Sequence, residues 1–239
     1  MINREIDIPT SAGSMNTFIT HPEEEGPHPV VLFLMDAPGK RAELHDMANR
    51  LATAGYYVML PNLYYRRVRE FKIQESGRDA MHELMASLSN AMVCEDVRSL
   101  IEFADQDAAA RDGKLGCVGY CMSAPFACAA APSFPGLIAA SACCGGVYGC
   151  SGRADSPHLG AEKIKAEMYF GCAETDEYAP KEMVDNLESY LATTNINSRI
   201  EWYPGTEHGF VFPKREGKYH KESAERHWER LFAHYRRCL

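Results

Sequence analysis

Three side chains that can share the work of acyl transfer occur along this chain in the order cysteine, aspartate, histidine. Cys121 sits in Gly119-Tyr120-Cys121-Met122-Ser123, after the apolar run Leu115 to Val118 and before a run of small, helix-forming residues. That pattern predicts a strand that turns sharply into a helix and leaves one side chain at the apex. The turn is strained, and the positions two before and two after the apex must be small. Here they are Gly119 and Ser123. Cysteine at the apex makes the attacking group a thiol, which is mostly protonated near neutrality at a pKa of ~8.5. His208, in Gly-Thr-Glu-His-Gly-Phe after an apolar segment, is the candidate base. Asp176, after another such segment, would hold the imidazole in one tautomer and stabilise its charged form. The N-terminus of the helix after Cys121 favours a thiolate through its dipole.

Glu174 and Glu177 compete with Asp176 in the same loop; a short, stiff side chain near a strand end suits the orienting role better. The anion formed on a substrate needs donors. The Met122 N–H is one, and the other is expected from the loop after Val30–Met35, at Ala37. The remaining histidines lie in charged loops or on helix faces and read as solvated surface. Cys143, Cys144 and Cys150, with a histidine such as His158, are candidate metal ligands. No C-x₂-C pair is matched by a second, so no metal is expected. The same thiols furnish the alternative function, a non-catalytic protein that senses oxidants or binds a soft metal. The competing account packs Cys117, Cys128, Cys143 and Cys172 in strands and a helix. No glycine-rich phosphate loop occurs, and no cofactor is implied.

The elements that must position these residues follow from periodicity. Residues 3–9 and 14–20 read as short strands joined by Ser11-Ala12-Gly13. Val30 to Met35 is a strand buried on both faces. Apolar positions over 42–54 have helical spacing, ended by Gly55. Tyr56–Pro61 is a strand, and the arginine-rich stretch 62–75 reads as a surface excursion. Residues 76–104 are helical with a break near 90–93. Asp112-Gly113 is a turn before the Leu115–Val118 strand. Further strands fall at 137–143, 166–171 and 199–203, and helices at 181–192 and 219–235; 147–163 is loop-like. Strands alternating with helices predict a mostly parallel sheet covered on both faces, with sites beyond the C-terminal strand ends. The order nucleophile, acid, histidine is that of the α/β-hydrolases.

A chain of 239 residues is expected to form one domain, and 46 % apolar with 24 % charged residues suits a sizeable core. A net charge of −8 argues against nucleic-acid binding, which needs a basic face. The start of the chain lacks a signal-peptide pattern, no run is long enough to span a membrane, and nine cysteines read as reduced thiols in a cytoplasm.

These residues resemble the dienelactone hydrolases (carboxymethylenebutenolidases) over nearly the whole chain. Gly-Tyr-Cys-Met is similar to the family's Gly-x-Cys-x-Gly turn, Asp176-Glu-Tyr-Ala-Pro to its Asp followed by a Val-Pro-like step, and Glu-His208-Gly-Phe to its histidine. Pro61-Asn62-Leu63-Tyr64 resembles its Pro-Asp-Leu-Tyr. The resemblance implies a three-layer α/β-hydrolase sandwich around a doubly wound sheet, and a hydrolase that opens an enol-lactone through a thiol acyl-enzyme, as in aromatic degradation. It implies a small ester or lactone substrate, anionic in the family, and a monomer or homodimer. The family's acidic residue that assists the thiol, a Glu, falls on Asp36. Its first carboxylate-binding arginine falls on Arg78, by counting back from Asp96. Its second falls on Phe212, with Lys214 or Arg215 as candidate replacements from another place. Ser123-Ala124 stands where the family has Gly-Gly.

Overall fold

The computed structural model describes residues 1–145 and 156–239. Eight strands form one sheet: β1 (Ile2–Thr10), β2 (Gly13–His21), β3 (His28–Leu34), β4 (Tyr57–Pro61), β5 (Ala110–Tyr120), β6 (Ile138–Cys144), β7 (Glu167–Thr175) and β8 (Ser198–Glu207). Their order is β1-β2-β4-β3-β5-β6-β7-β8. β1 and β2 are antiparallel, and β3 to β8 pair in parallel.

Val30 to Leu34 are wholly buried, as an unbroken apolar run in a covered parallel strand requires. Among the described residues six helices complete the layers: α1 (Ala42–Thr53), α2 (Ile73–Ala86), α3 (Asn90–Ala104), α4 (Ala124–Ser133), α5 (Lys181–Leu191) and α6 (Lys221–Cys238). α1 and α6 share one face, joined by the Arg50–Glu225 pair and by Arg50 lying over Trp228 at 4.7 Å. α3 and α4 pack together on the other. The residues of α4 from Ala124 to Ala131 are all buried, because small side chains let it lie close between sheet and α3.

The chain leaves β3 toward β4 in one direction and returns to β5 on the other side. Open sheets of this kind form their crevice where the winding reverses, outside the C-terminal strand ends. Here that point lies between the loops after β3 and β5.

Several boundaries differ from the sequence reading. The helical break falls at 87–89, where Ser89 caps α3 by accepting from the Met92 N–H, rather than at 90–93. Asp112-Gly113 lies within β5, whose pairing with β3 is irregular there. Most of 147–163 lies outside the described residues; Pro157–Lys163 is a 3₁₀ turn. The stretch 62–72 is no loose surface excursion. Leu63, Tyr64 and Phe71 are buried, Asn62 donates to the Val68 and Arg69 carbonyls, and Arg66 grips Asp96 at 2.7 Å.

Candidate active site

β5 runs straight into the turn that holds Cys121, whose φ is +54°. A non-glycine residue pays about 1–3 kcal/mol to sit there, so the surrounding structure must hold it. It does so in two ways. A Cβ on Gly119 would lie 2.1 Å from the Ser123 carbonyl oxygen, so only glycine lets the turn close. Ser123, fully buried, donates from its hydroxyl to the Leu34 carbonyl at 2.9 Å and accepts from the Tyr120 N–H at 3.0 Å. That hydroxyl ties the turn to the end of β3.

Strand register assembles the partners. Tyr120 pairs with Cys144, Cys144 with Gly171, and Thr175 with Glu207, so the residues following β5, β7 and β8 emerge at the same sheet edge. His208 Nδ1 lies 2.7 Å from Asp176 Oδ2. The other Asp176 oxygen accepts from the Tyr178 and Ala179 N–H groups at 2.9 and 3.1 Å, which fixes the carboxylate. The Tyr178 ring meets the imidazole edge-on at 4.8 Å. His208 Nε2 is buried and has no hydrogen-bond partner. Burial of the ring opposes its protonation, but Asp176 and the nearby Cys121 sulfur outweigh this and lift its pKa to about 9.

Cys121, His208, Ala37, Met122, Arg78 and Arg215 all border one cavity of about 930 Å³. The Ala37 N–H has no partner among the described residues. Tyr64, missed as a site residue by the sequence reading, joins the two loops. Its hydroxyl donates to the Ala37 carbonyl at 2.8 Å and lies 3.2 Å from the Met122 sulfur. The available signal was Pro61-Asn62-Leu63-Tyr64 at the end of β4.

Asp36 does not line the cavity, and its hydrogen bonds go to arginines rather than to the thiol. It is fully buried, and its two oxygens are held by Arg41 at 2.5 and 3.1 Å and by Arg215 at 2.9 Å. Glu43 extends this network, accepting from Arg41 at 2.6 Å and from the Lys214 N–H at 2.7 Å. Phe212 is buried beneath both arginines, 4.5 Å from Arg215 and 5.6 Å from Arg41. Of the two candidate replacements for a second arginine, Arg215 reaches the cavity. Lys214 faces away, 3.6 Å from Asp46. Gly209 is needed for this, since a Cβ there would lie 2.2 Å from Arg215 Nη1. Arg78 is exposed at the cavity wall and has no ion-pair partner among the described residues.

Among the described residues, Cys143 and Cys144 do not join in one site. Cys143 and Cys144 are adjacent in β6 and so point to opposite faces. A hydrogen bond with Cys128 and burial push the Cys143 thiol well up, and burial does the same for Cys144. Cys150 and the side chain of His158 lie outside the described residues. The surface reading of the other histidines also needs correction, since His21, His28, His227 and His234 are buried. His227 packs against the Tyr120 hydroxyl at 3.0 Å, and burial pushes its pKa down to about 3.

A sheet wound both ways from β3, with a strained cysteine turn after β5 and an Asp–His pair after β7 and β8, is the α/β-hydrolase fold. Within that class the chain belongs to the dienelactone hydrolase family, whose profile matches residues 15–239, and it is a carboxylic-ester hydrolase. A provisionally named carboxymethylenebutenolidase of Synechocystis sp. is 25% identical over 230 residues, covering 95% of this chain and 93% of the relative. Its counterpart in Escherichia coli (strain K12) is 26% identical over 228 residues, covering 94% and 83%. Among solved structures, a provisionally named dienelactone hydrolase from Klebsiella pneumoniae superposes with a TM-score of 0.89 at 24% identity, over 98% of both chains. Dienelactone hydrolase from Anabaena variabilis gives 0.72 at 14% identity, over 100% and 98%. No helix among the described residues is long and apolar enough to cross a membrane.

Proposed function

We propose that this protein hydrolyses a small ester or lactone through a thiol acyl-enzyme, with Cys121, His208 and Asp176 as the triad. The observation that carries the reading is the imidazole. One nitrogen is fixed by Asp176 at 2.7 Å, and the other is buried without a partner beside the cavity into which Cys121 opens.

His208 takes the Cys121 proton as the sulfur attacks. The thiolate adds to the acyl carbon, and the oxyanion is held by the N–H groups of Met122 and Ala37. The C–O bond then breaks and His208 gives its proton to the leaving oxygen. Water, deprotonated by His208, attacks the thioester and releases the acid with the thiol restored. In a lactone the leaving oxygen stays on the product. Arg78, and Arg215 where it can be drawn from Asp36, are placed to meet an anionic group on the substrate. Asp36 serves this site by holding Arg215 in place rather than by reaching the sulfur. The free thiols of the described core suit a reducing compartment, and we place the protein in the cytoplasm, as a single domain over residues 1–239 acting as monomer or homodimer.

Turnover of 4-nitrophenyl acetate tests the assignment. The parent protein should release nitrophenol and, when quenched early, carry an acetyl group on the Cys121 peptide. Hydrolysis by Cys121→Ala as fast as by the parent would refute it.

A further inference from the structure

The opposite edge of the sheet holds a second set of reactive side chains that the hydrolase chemistry does not use. His234 and Cys238 are four residues apart on the last turn of α6, so they share one face of the helix. Glu167 opens β7 opposite them, at the end of the strand remote from Asp176. His234 Nδ1 lies 3.3 Å from Glu167 Oε1, and Cys238 Sγ lies 3.6 Å from Glu167 Oε2. One ligand atom from each of the three lies within 4.8 Å of the others.

The His234–Glu167 and Cys238–Glu167 separations, each to a different carboxylate oxygen, are close to those a zinc ion imposes between neighbouring ligands. Bonds of about 2.0–2.1 Å to nitrogen or oxygen and about 2.3 Å to sulfur place tetrahedral ligands roughly 3.3 Å apart for N···O and 3.5 Å for S···O. We propose that Glu167, His234 and Cys238 form a zinc site, with water as the fourth ligand. Imidazole, thiolate and carboxylate together suit this borderline-soft ion. Binding releases the Cys238 proton to solvent and leaves a zinc–thiolate bond, with no change of oxidation state.

Two features support the site beyond the cluster itself. His234 is 3 % exposed and packed between the Tyr169 and Tyr235 rings, so its ring is already held toward Glu167. Its Nε2 is buried without a hydrogen-bond partner, and Nδ1 is the nitrogen turned toward Glu167. The C-terminal end of α6 also presents the negative end of the helix dipole to a cation. The resident competitor is Arg237, whose guanidinium binds the Glu167 carboxylate from a largely exposed position and can withdraw. The ion would pin the end of α6 to β7, far from the cavity.

The test is zinc sulfate titrated into the full chain carrying Cys121→Ala, which removes the thiol of the other site. One zinc should bind per chain and raise the melting temperature. Cobalt(II) should give a thiolate-to-metal absorption band. Cys238→Ser, a one-atom change at the end of α6, should abolish the band and weaken zinc binding at least tenfold. Arg237→Ala should tighten binding. Absence of stoichiometric zinc, binding unchanged in Cys238→Ser, or binding not tightened in Arg237→Ala would each overturn the proposal.

Discussion

Replacing Asp176 with asparagine changes the charge facing His208 and little else. The Asn Oδ1 can still accept from the Tyr178 and Ala179 N–H groups that shape this loop. In the parent protein the His208 pKa is raised from 6.5 to about 9, against the opposing effect of burial. A raised pKa in the fold means that protonation stabilises the folded state. That contribution is complete below pH ~6.5 and disappears as pH rises through about 9. At ~1.4 kcal/mol for each tenfold, the gain is of order 3 kcal/mol, and the Asp176 hydrogen bond is the largest single effect that offsets burial. Urea unfolding followed by the fluorescence of Trp202 and Trp228 measures it. The stability advantage of the parent over Asp176→Asn should shrink by roughly 2–3 kcal/mol between pH 6 and pH 9.5. Other titrating groups occur in both proteins and cancel in the difference. Ester hydrolysis by the variant should fall by up to about 10⁴-fold, as when a triad histidine loses its orienting carboxylate. Parallel stability profiles would show that Asp176 does not charge His208 in the fold, and the base assignment would lose its physical basis.

Gly119→Ala places a Cβ against the Ser123 backbone, and should cost at least about 3 kcal/mol or prevent folding, seen as a lower urea midpoint. Arg41→Ala leaves buried Asp36 with Arg215 alone and should destabilise by roughly 3–5 kcal/mol; a loss under 1 kcal/mol would mean that the pair contributes little. Arg78→Ala should reduce kcat/KM for an anionic ester at least tenfold more than for a neutral ester of the same shape. An equal loss for both removes Arg78 from substrate recognition.

What could be read from sequence was local. The turn at Cys121 is encoded within a few residues, by an apolar run, a glycine two before the apex and an alanine-rich run after it. Strand and helix periods then carried Asp176 and His208 to strand ends, and the rule for parallel sheets put those ends together. What could not be read depends on distant partners. Nothing near Asp36 indicates that Arg215 reaches it from the far end of the chain, or that Phe212 is the surface on which two arginines rest. Tyr64 lay in a stretch whose arginines resembled a solvated loop, but Arg66 is neutralised by Asp96 and the stretch folds inward. His227 and His234 were misjudged because helical spacing alone does not say which face of α6 meets the sheet.

The Ser123 hydroxyl makes substitution at this position a one-way step. In the family Gly-Gly follows Cys-x, so a consensus-guided design would restore glycine at 123. In this chain that change removes the hydroxyl that reaches both the Leu34 carbonyl and the Tyr120 N–H. Each buried backbone group left unpaired costs about 1–3 kcal/mol, and glycine adds its own entropic cost. The glycine of the family pattern is therefore the destabilising residue here. Homologue averages are poor guides at this turn, and any redesign of the nucleophile has to treat Cys121, Ser123 and the end of β3 as one inherited unit.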